Sequence, residues 1–140
     1  MKMLLAVDGS EYTRRMLEYI ATHRDLFDLS HDYTALNVVA PVPPRVTGFV
    51  DRQTLDSYYT EHAEQVLAPV RERAAQNGWK LKAMHAVGPV AELIARTANE
   101  GGYDMLVMGS HGHEPMAQLV LGSVTSRVLA HCTKPVLIVR

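Results

Sequence analysis

Asp104-Met105-Leu106-Val107-Met108 runs directly into Gly109-Ser110-His111-Gly112, and after nine intervening residues comes Gly122-Ser123. The apolar run reads as a strand, the glycines punctuate a loop, and Val124 to His131 reads as a helix leaving that loop. Strand, glycine loop and helix start, in that order, aim backbone N–H groups and the positive end of a helix at one place. Such a place accepts an anion, commonly a phosphate. Nucleotide binding is therefore the first expectation.

Working outward, Met3 to Val7 is a continuous apolar run, as a strand buried on both faces would be. Asp8-Gly9-Ser10 breaks it, and Ser10 is placed to cap a helix from Glu11 with Tyr12, Met16, Tyr19 and Ile20 on one face. Tyr33 to Ala40 reads as a second strand, ended by a loop holding Pro41, Pro43, Pro44 and Gly48. A long helix follows from about Gln53 to Gln76, stopped by Asn77-Gly78, with Pro69 expected to bend or split it. In Trp79 to Val87, alternate residues Trp79, Leu81, Ala83, His85 and Val87 share one parity, the pattern of a half-exposed edge strand. Gly88-Pro89 opens a helix whose expected buried stripe is Val90, Leu93, Ile94 and Thr97, and Gly101-Gly102 closes it. Pro135 to Val139 is the last strand.

Strands and helices thus alternate strictly, which implies a parallel sheet with helices on both faces. Ligands of such sheets bind beyond the carboxyl ends of the strands, where the strand order reverses. The loops after the first and fourth strands carry Asp8-Gly9-Ser10 and Gly109 to Gly112, so two separately noticed loops fall at one expected site.

The bulk numbers narrow the class. At 140 residues, 47% hydrophobic and 21% charged, the chain reads as one globular domain over residues 1–140. A net charge of −1 gives no general attraction to nucleic acid or an acidic membrane. The single cysteine, Cys132, forms no internal disulfide and suits a cytoplasmic location. No apolar run approaches the roughly 18 residues needed to span a bilayer, and the N-terminal apolar run is too short for a signal peptide.

These residues resemble the universal stress protein family. Gly109, Gly112, Gly122 and Ser123 match the G-x2-G-x9-G-[ST] pattern of its nucleotide-binding branch at every fixed position. Leu4 to Ser10 resembles the family's first strand and acidic turn, and Lys134 to Val139 its last strand. The resemblance implies a Rossmann-like, adenine nucleotide alpha hydrolase-like open sheet in the order 3-2-1-4-5. It also implies ATP or AMP in the crevice and a homodimer formed through Val136, Leu137, Ile138 and Val139. Carried over by position, Asp8 would lie near ribose or phosphates and help hold a nucleotide-bound magnesium ion. Val39 would offer backbone groups to the adenine edge. Gly109, Ser110, His111 and Gly112 would form the loop against ribose and phosphates, and Gly122, Ser123 and Val124 would cradle phosphate at a helix N-terminus.

Physical chemistry agrees with that outline. Each glycine either admits close backbone approach or permits a positive φ. No Gly-x4-Gly-Lys-[Ser/Thr] is present, so no P-loop lysine neutralises a γ-phosphate, and no Gly-x-Gly-x2-Gly follows the first strand. The stretch His113, Glu114, Pro115, Met116, Ala117, Gln118 is where many relatives are more basic. Here it has no Lys or Arg, and Glu114 would repel a polyphosphate unless a metal intervened. His111 and His113 lack the further ligands of a structural zinc site, so solvent or phosphate contact is the favoured account. Cys132 reads as a small buried thiol, and Trp79, Tyr58 and Tyr59 as core or dimer-surface residues. The last strand would be an apolar edge, which pairing across a two-fold axis would cover.

Three functions compete: a nucleotide-binding homodimer with a stress-response or regulatory role, a slow ATPase, and a nucleotide-free dimeric interaction module. The chain shows no paired catalytic carboxylates and no positioned lysine, which ranks the enzyme well below the first.

Overall fold

Continuous apolar runs become the central strands, because a strand covered on both faces has no side to give to water. Met3, Leu4 and Leu5 of β1 (Lys2–Ala6) are fully buried, as are Leu106 and Val107 of β4 (Met105–Gly109). The computed structural model describes residues 1–140 apart from 116 and 117, so Met116 and Ala117 of the stretch without basic residues lie outside the described residues. The remaining elements are α1 (Glu11–Thr22), β2 (Asp32–Val39), α2 (Pro44–Thr47), α3 (Arg52–Asn77), β3 (Lys80–Val87), α4 (Val90–Glu100), α5 (Ser123–His131) and β5 (Val136–Val139).

The five strands form one parallel sheet in the order β3-β2-β1-β4-β5, as the alternation and the family resemblance implied. Side chains alternate across it into two cores. Met3 and Leu5 pack with Met16 and Ile20 of α1 and Leu67 and Val70 of α3. Leu4 and Leu106 pack on the other face with Ile94 and Ala98 of α4 and Val128 of α5. No helix among the described residues is long and apolar enough to cross a membrane.

Several local expectations need correction. Ser10 stands at the N-cap of α1, but its hydroxyl makes no cap bond and is buried without a partner among the described residues. Asp8 takes over the turn instead, accepting from the Ser10 N–H at 2.9 Å. The buried face of α1 is Thr13, Met16, Leu17 and Ile20, with Tyr12 and Tyr19 half-buried at its margins. Pro69 does not split α3, which runs unbroken for 26 residues with Pro69 on its exposed side. A short helix, α2, stands inside the proline loop, with Pro44 at its start.

On α4 the buried residues are Ala91, Ile94, Ala95 and Ala98, so only Ile94 of the expected stripe is buried. Alanines occupy the inner face because they let the helix backbone approach the sheet and α5 closely, leaving the larger Val90 and Leu93 at the flanks. In β3 the buried parity changes midway: Leu81 and Ala83 face one core, Met84 and Ala86 the other, and His85 and Val87 are exposed. An edge strand tolerates this because it is only partly covered on either face. Trp79 and Tyr59 are buried, Tyr58 is largely exposed, and Cys132 is half-buried rather than buried.

Candidate functional site

The chain makes β1, β2 and β3 on one side of the sheet and then returns to place β4 on the opposite side of β1. Here the strand order reverses. The register Ala6↔Met108 brings the loop after β1 beside the loop after β4. Between them lies a cavity of about 400 Å³, within the usual size for small-molecule sites. Val38, Val39, Ile94 and Met108 give it apolar surface, and Asp8, Gly109, Gly112, Gly122, Ser123 and Val124 also line it.

Asp8 is fixed by its own turn. Its Oδ1 accepts from the Ser10 N–H and from Thr13 Oγ1, each at 2.9 Å. Its Oδ2 faces Gly112, where a Cβ would come within 2.8 Å of it. Asp8 therefore presents one carboxylate oxygen beside the glycine loop while the other holds the start of α1.

The motif glycines act through close approach, not through unusual backbone angles. Positive φ occurs at Gly9, Gly78, Gly88 and Gly102, and at none of Gly109, Gly112 or Gly122. A Cβ on Gly109 would lie 2.7 Å from Tyr12 Cβ, and one on Gly122 would lie 3.1 Å from His111 Cα. The Gly122 N–H also donates to the Ser110 carbonyl at 2.8 Å, closing the loop onto its own beginning.

His111 lines the cavity, and its imidazole and the Ser110 hydroxyl bond within the loop itself. The His111 Nε2–H donates to the Leu119 carbonyl at 2.8 Å, which leaves Nδ1 to accept from the Ser110 hydroxyl at 2.9 Å. The buried imidazole thus ties the two ends of the loop together and packs 5.1 Å, centroid to centroid, from Tyr12. His113 lies on the exposed side, and its Nε2–H donates to the Asp8 carbonyl at 2.7 Å, bridging the two loops. Neither is part of a group of three or more potential metal-ligating side chains among the described residues.

Val39 is at the cavity, but its carbonyl already accepts from the Gly88 N–H at 3.0 Å. Ala40, one residue further on, also lines the cavity. At the far wall, α5 begins with Gly122 at its N-cap and no capping side chain. The N–H groups of its first turn have no helical partner, and Gly122, Ser123, Val124 and Thr125 line the cavity. The Ser123 hydroxyl donates to Glu114 Oε2 at 3.2 Å.

Sequence reasoning missed Thr13, Asn37, His62, Val66 and Thr125, all of which line the cavity. Asn37 carried a readable signal, a polar residue inside the apolar run of β2. It is buried, and its Nδ2–H donates to the Val7 carbonyl at 2.8 Å, which secures the end of β1. Thr125 donates to the Gly109 carbonyl at 3.0 Å and so joins α5 to β4. His62 and Val66 gave no signal, because their presence depends on how α3 crosses the sheet.

An apolar slot and an uncapped helix end are brought together at the switch point of a parallel sheet, which places the chain in the doubly wound α/β class. The sequence model of the universal stress protein family matches residues 1–140, and the chain belongs to that family. It is 31% identical over 147 residues to universal stress protein YxiE of Bacillus subtilis, covering 99% of this chain and 98% of that protein. It is 35% identical over 86 residues to universal stress protein MJ0577 of Methanocaldococcus jannaschii, covering 61% of this chain and 53% of the relative. With Slr1230 of Synechocystis the match covers 42% of the relative, so the chain spans about half the length of these last two. The solved structure of MJ0577 superposes with a TM-score of 0.81 at 29% identity, covering 99% of this chain and 94% of that one. An Arabidopsis thaliana member of the family, solved with AMP bound, superposes at 0.70 with 15% identity, covering 99% and 90% of the two chains.

Proposed function

We propose that residues 1–140 form one unit that binds an adenine nucleotide in the cavity between the loops after β1 and β4, and that its role is regulatory rather than catalytic. The observation carrying this reading is the juxtaposition of an apolar slot at Val38, Val39 and Met108 with the uncapped start of α5 at Ser123 and Val124. A flat apolar base and an anionic phosphate need those two surfaces side by side. In this reading Ala40, with Val39 behind it, supplies backbone groups to the base, and Asp8 Oδ2 approaches the ribose or a phosphate-bound magnesium ion. Choosing adenine over other bases draws on three solved proteins of the same fold, described in complex with AMP, cAMP and dAMP. ATP and AMP are both carried forward as ligands, and a homodimer through β5 is carried with them.

The test is to denature purified protein, identify any released nucleotide by chromatography and mass spectrometry, and measure thermal shifts with AMP and ATP. Ser123→Asp is the informative variant. It puts a negative charge where the phosphate would sit, yet an acid in the first turn of α5 suits the helix. The wild type should release an adenine nucleotide or gain roughly 5–10 °C in Tm at about a hundred times Kd. The variant should fold and show neither effect. No released nucleotide together with no shift from AMP or ATP would overturn the reading.

A further inference from the structure

Glu114 reaches the candidate cavity from the loop after β4 and accepts the hydroxyl proton of Ser123, the first residue of α5, at 3.2 Å. Gly122 gives α5 no side-chain cap, and the first turn contains no acidic residue. The positive end of the helix is therefore left without a compensating charge of its own. Glu114 brings that charge from outside the helix. A carboxylate oxygen on the Ser123 hydroxyl occupies the kind of position that a phosphate oxygen takes at a helix N-terminus. The loop is held there from both sides, because His113 donates to the Asp8 carbonyl at 2.7 Å across the cavity mouth. Asp8 adds a second carboxylate to the wall, and no lysine or arginine is among the described residues that line it.

We propose that Glu114 sets the charge class of the ligand: it is a resident anion at the start of α5 that disfavours each additional phosphate, so the cavity selects a nucleoside monophosphate over a triphosphate. This rests on the nucleotide reading above and goes beyond it by naming the residue that discriminates. The physical ground is Coulombic. Two like charges a few ångströms apart at a partly wet surface repel appreciably, and the effect grows with the charge brought in. With no lysine or arginine on the described wall to offset Glu114 and Asp8, a triphosphate meets the larger penalty.

Titration calorimetry of adenosine, AMP and ATP against the wild type and Glu114→Gln, in chelator and free of divalent cations, tests it. Glu114 is exposed and accepts one side-chain bond, so the isosteric amide leaves the fold intact. The variant should bind ATP roughly tenfold more tightly, AMP about threefold, and adenosine unchanged, in the order of ligand charge. Millimolar magnesium should shrink the ATP difference, because the cation neutralises the phosphates. An ATP to AMP ratio that does not move in the variant would overturn the proposal, as would an equal gain for adenosine or an ATP difference indifferent to magnesium. Failure of all three ligands to bind either protein removes the nucleotide reading, and this proposal with it. Binding with unchanged ratios removes this proposal alone.

Discussion

Gly109 sits at the end of β4 with Tyr12 of α1 pressed against its Cα hydrogen side. A methyl group there would come within 2.7 Å of Tyr12 Cβ and 3.4 Å of the Tyr12 carbonyl carbon. Both are parts of the α1 framework and cannot swing aside as a side-chain tip could. Gly112 and Gly122 are likewise crowded, by the Asp8 carboxylate and by the His111 backbone. The glycines of the motif are thus required by the protein's own loops, which must lie this close for Asp8 and the start of α5 to share one cavity. Gly109→Ala should destabilise the fold by about 1–3 kcal/mol, the usual range for overpacking. Its smaller opposing effect on unfolded-chain entropy does not offset that. Denaturant unfolding measures the difference, and an alanine variant as stable as the wild type would show that α1 yields at Tyr12.

Among the elements, α3 and α5 differ in how they begin. α3 starts at Asp51, whose side chain accepts the Thr54 N–H at 2.7 Å, and it ends at Gly78 in the left-handed conformation. α5 has glycine at its N-cap and opens toward the cavity. The Thr54 bonds hold the Asp51 carboxyl below its ordinary value of 3.8. A lowered folded-state pKa contributes stability that is complete above the unfolded value and lost as pH falls through the folded one. Asp51→Ala should therefore lower Tm at neutral pH, and the gap from the wild type should close as pH falls below about 4. Thermal melts across that range check it, and a pH-independent gap would assign the loss to helix propensity instead. The elements themselves were legible in the sequence because central strands such as Met3 to Val7 are unbroken apolar runs ended by glycine or acid. What escaped reading depended on tertiary fit. The alanine face of α4 is buried because it packs closely, while Ser10 makes no cap bond and the turn before α1 is closed locally by Asp8, whose carboxylate accepts the Ser10 N–H. That Asp8 and the glycine loop would come together was legible, and both line the cavity. His62 and Val66 were not legible, since only the crossing of α3 over the sheet brings them to the cavity.

At the scale of the molecule, the sheet has two edges, and they are not alike. β3 is an eight-residue edge with exposed Lys80, Lys82 and His85, charges of the kind that discourage strand pairing. β5 is a four-residue edge, Val136-Leu137-Ile138-Val139, with no charge in it. Its register fixes which backbone groups are engaged. The Pro135 carbonyl accepts from the Leu106 N–H at 2.9 Å and the Val139 carbonyl from the Ser110 N–H at 2.8 Å. Residues of that parity turn their backbone toward β4, so Val136 and Ile138 turn theirs outward. The proposed homodimer would use those outward groups, two strands pairing antiparallel about a two-fold axis. Ile138→Pro removes the outward donor and places a ring at the contact, yet leaves the Leu137 and Val139 backbone free to serve β4. Proline is tolerated on an edge strand with its missing N–H turned outward. Light scattering at micromolar concentration should give a dimer mass for the wild type. For the variant the dissociation constant should rise about a hundredfold, the loss of one hydrogen bond from each side plus the steric contact. Circular dichroism of the variant should remain that of the folded chain. A wild type that is monomeric at these concentrations would remove the dimer. A variant that stays dimeric and folded would move the contact away from β5 to another surface.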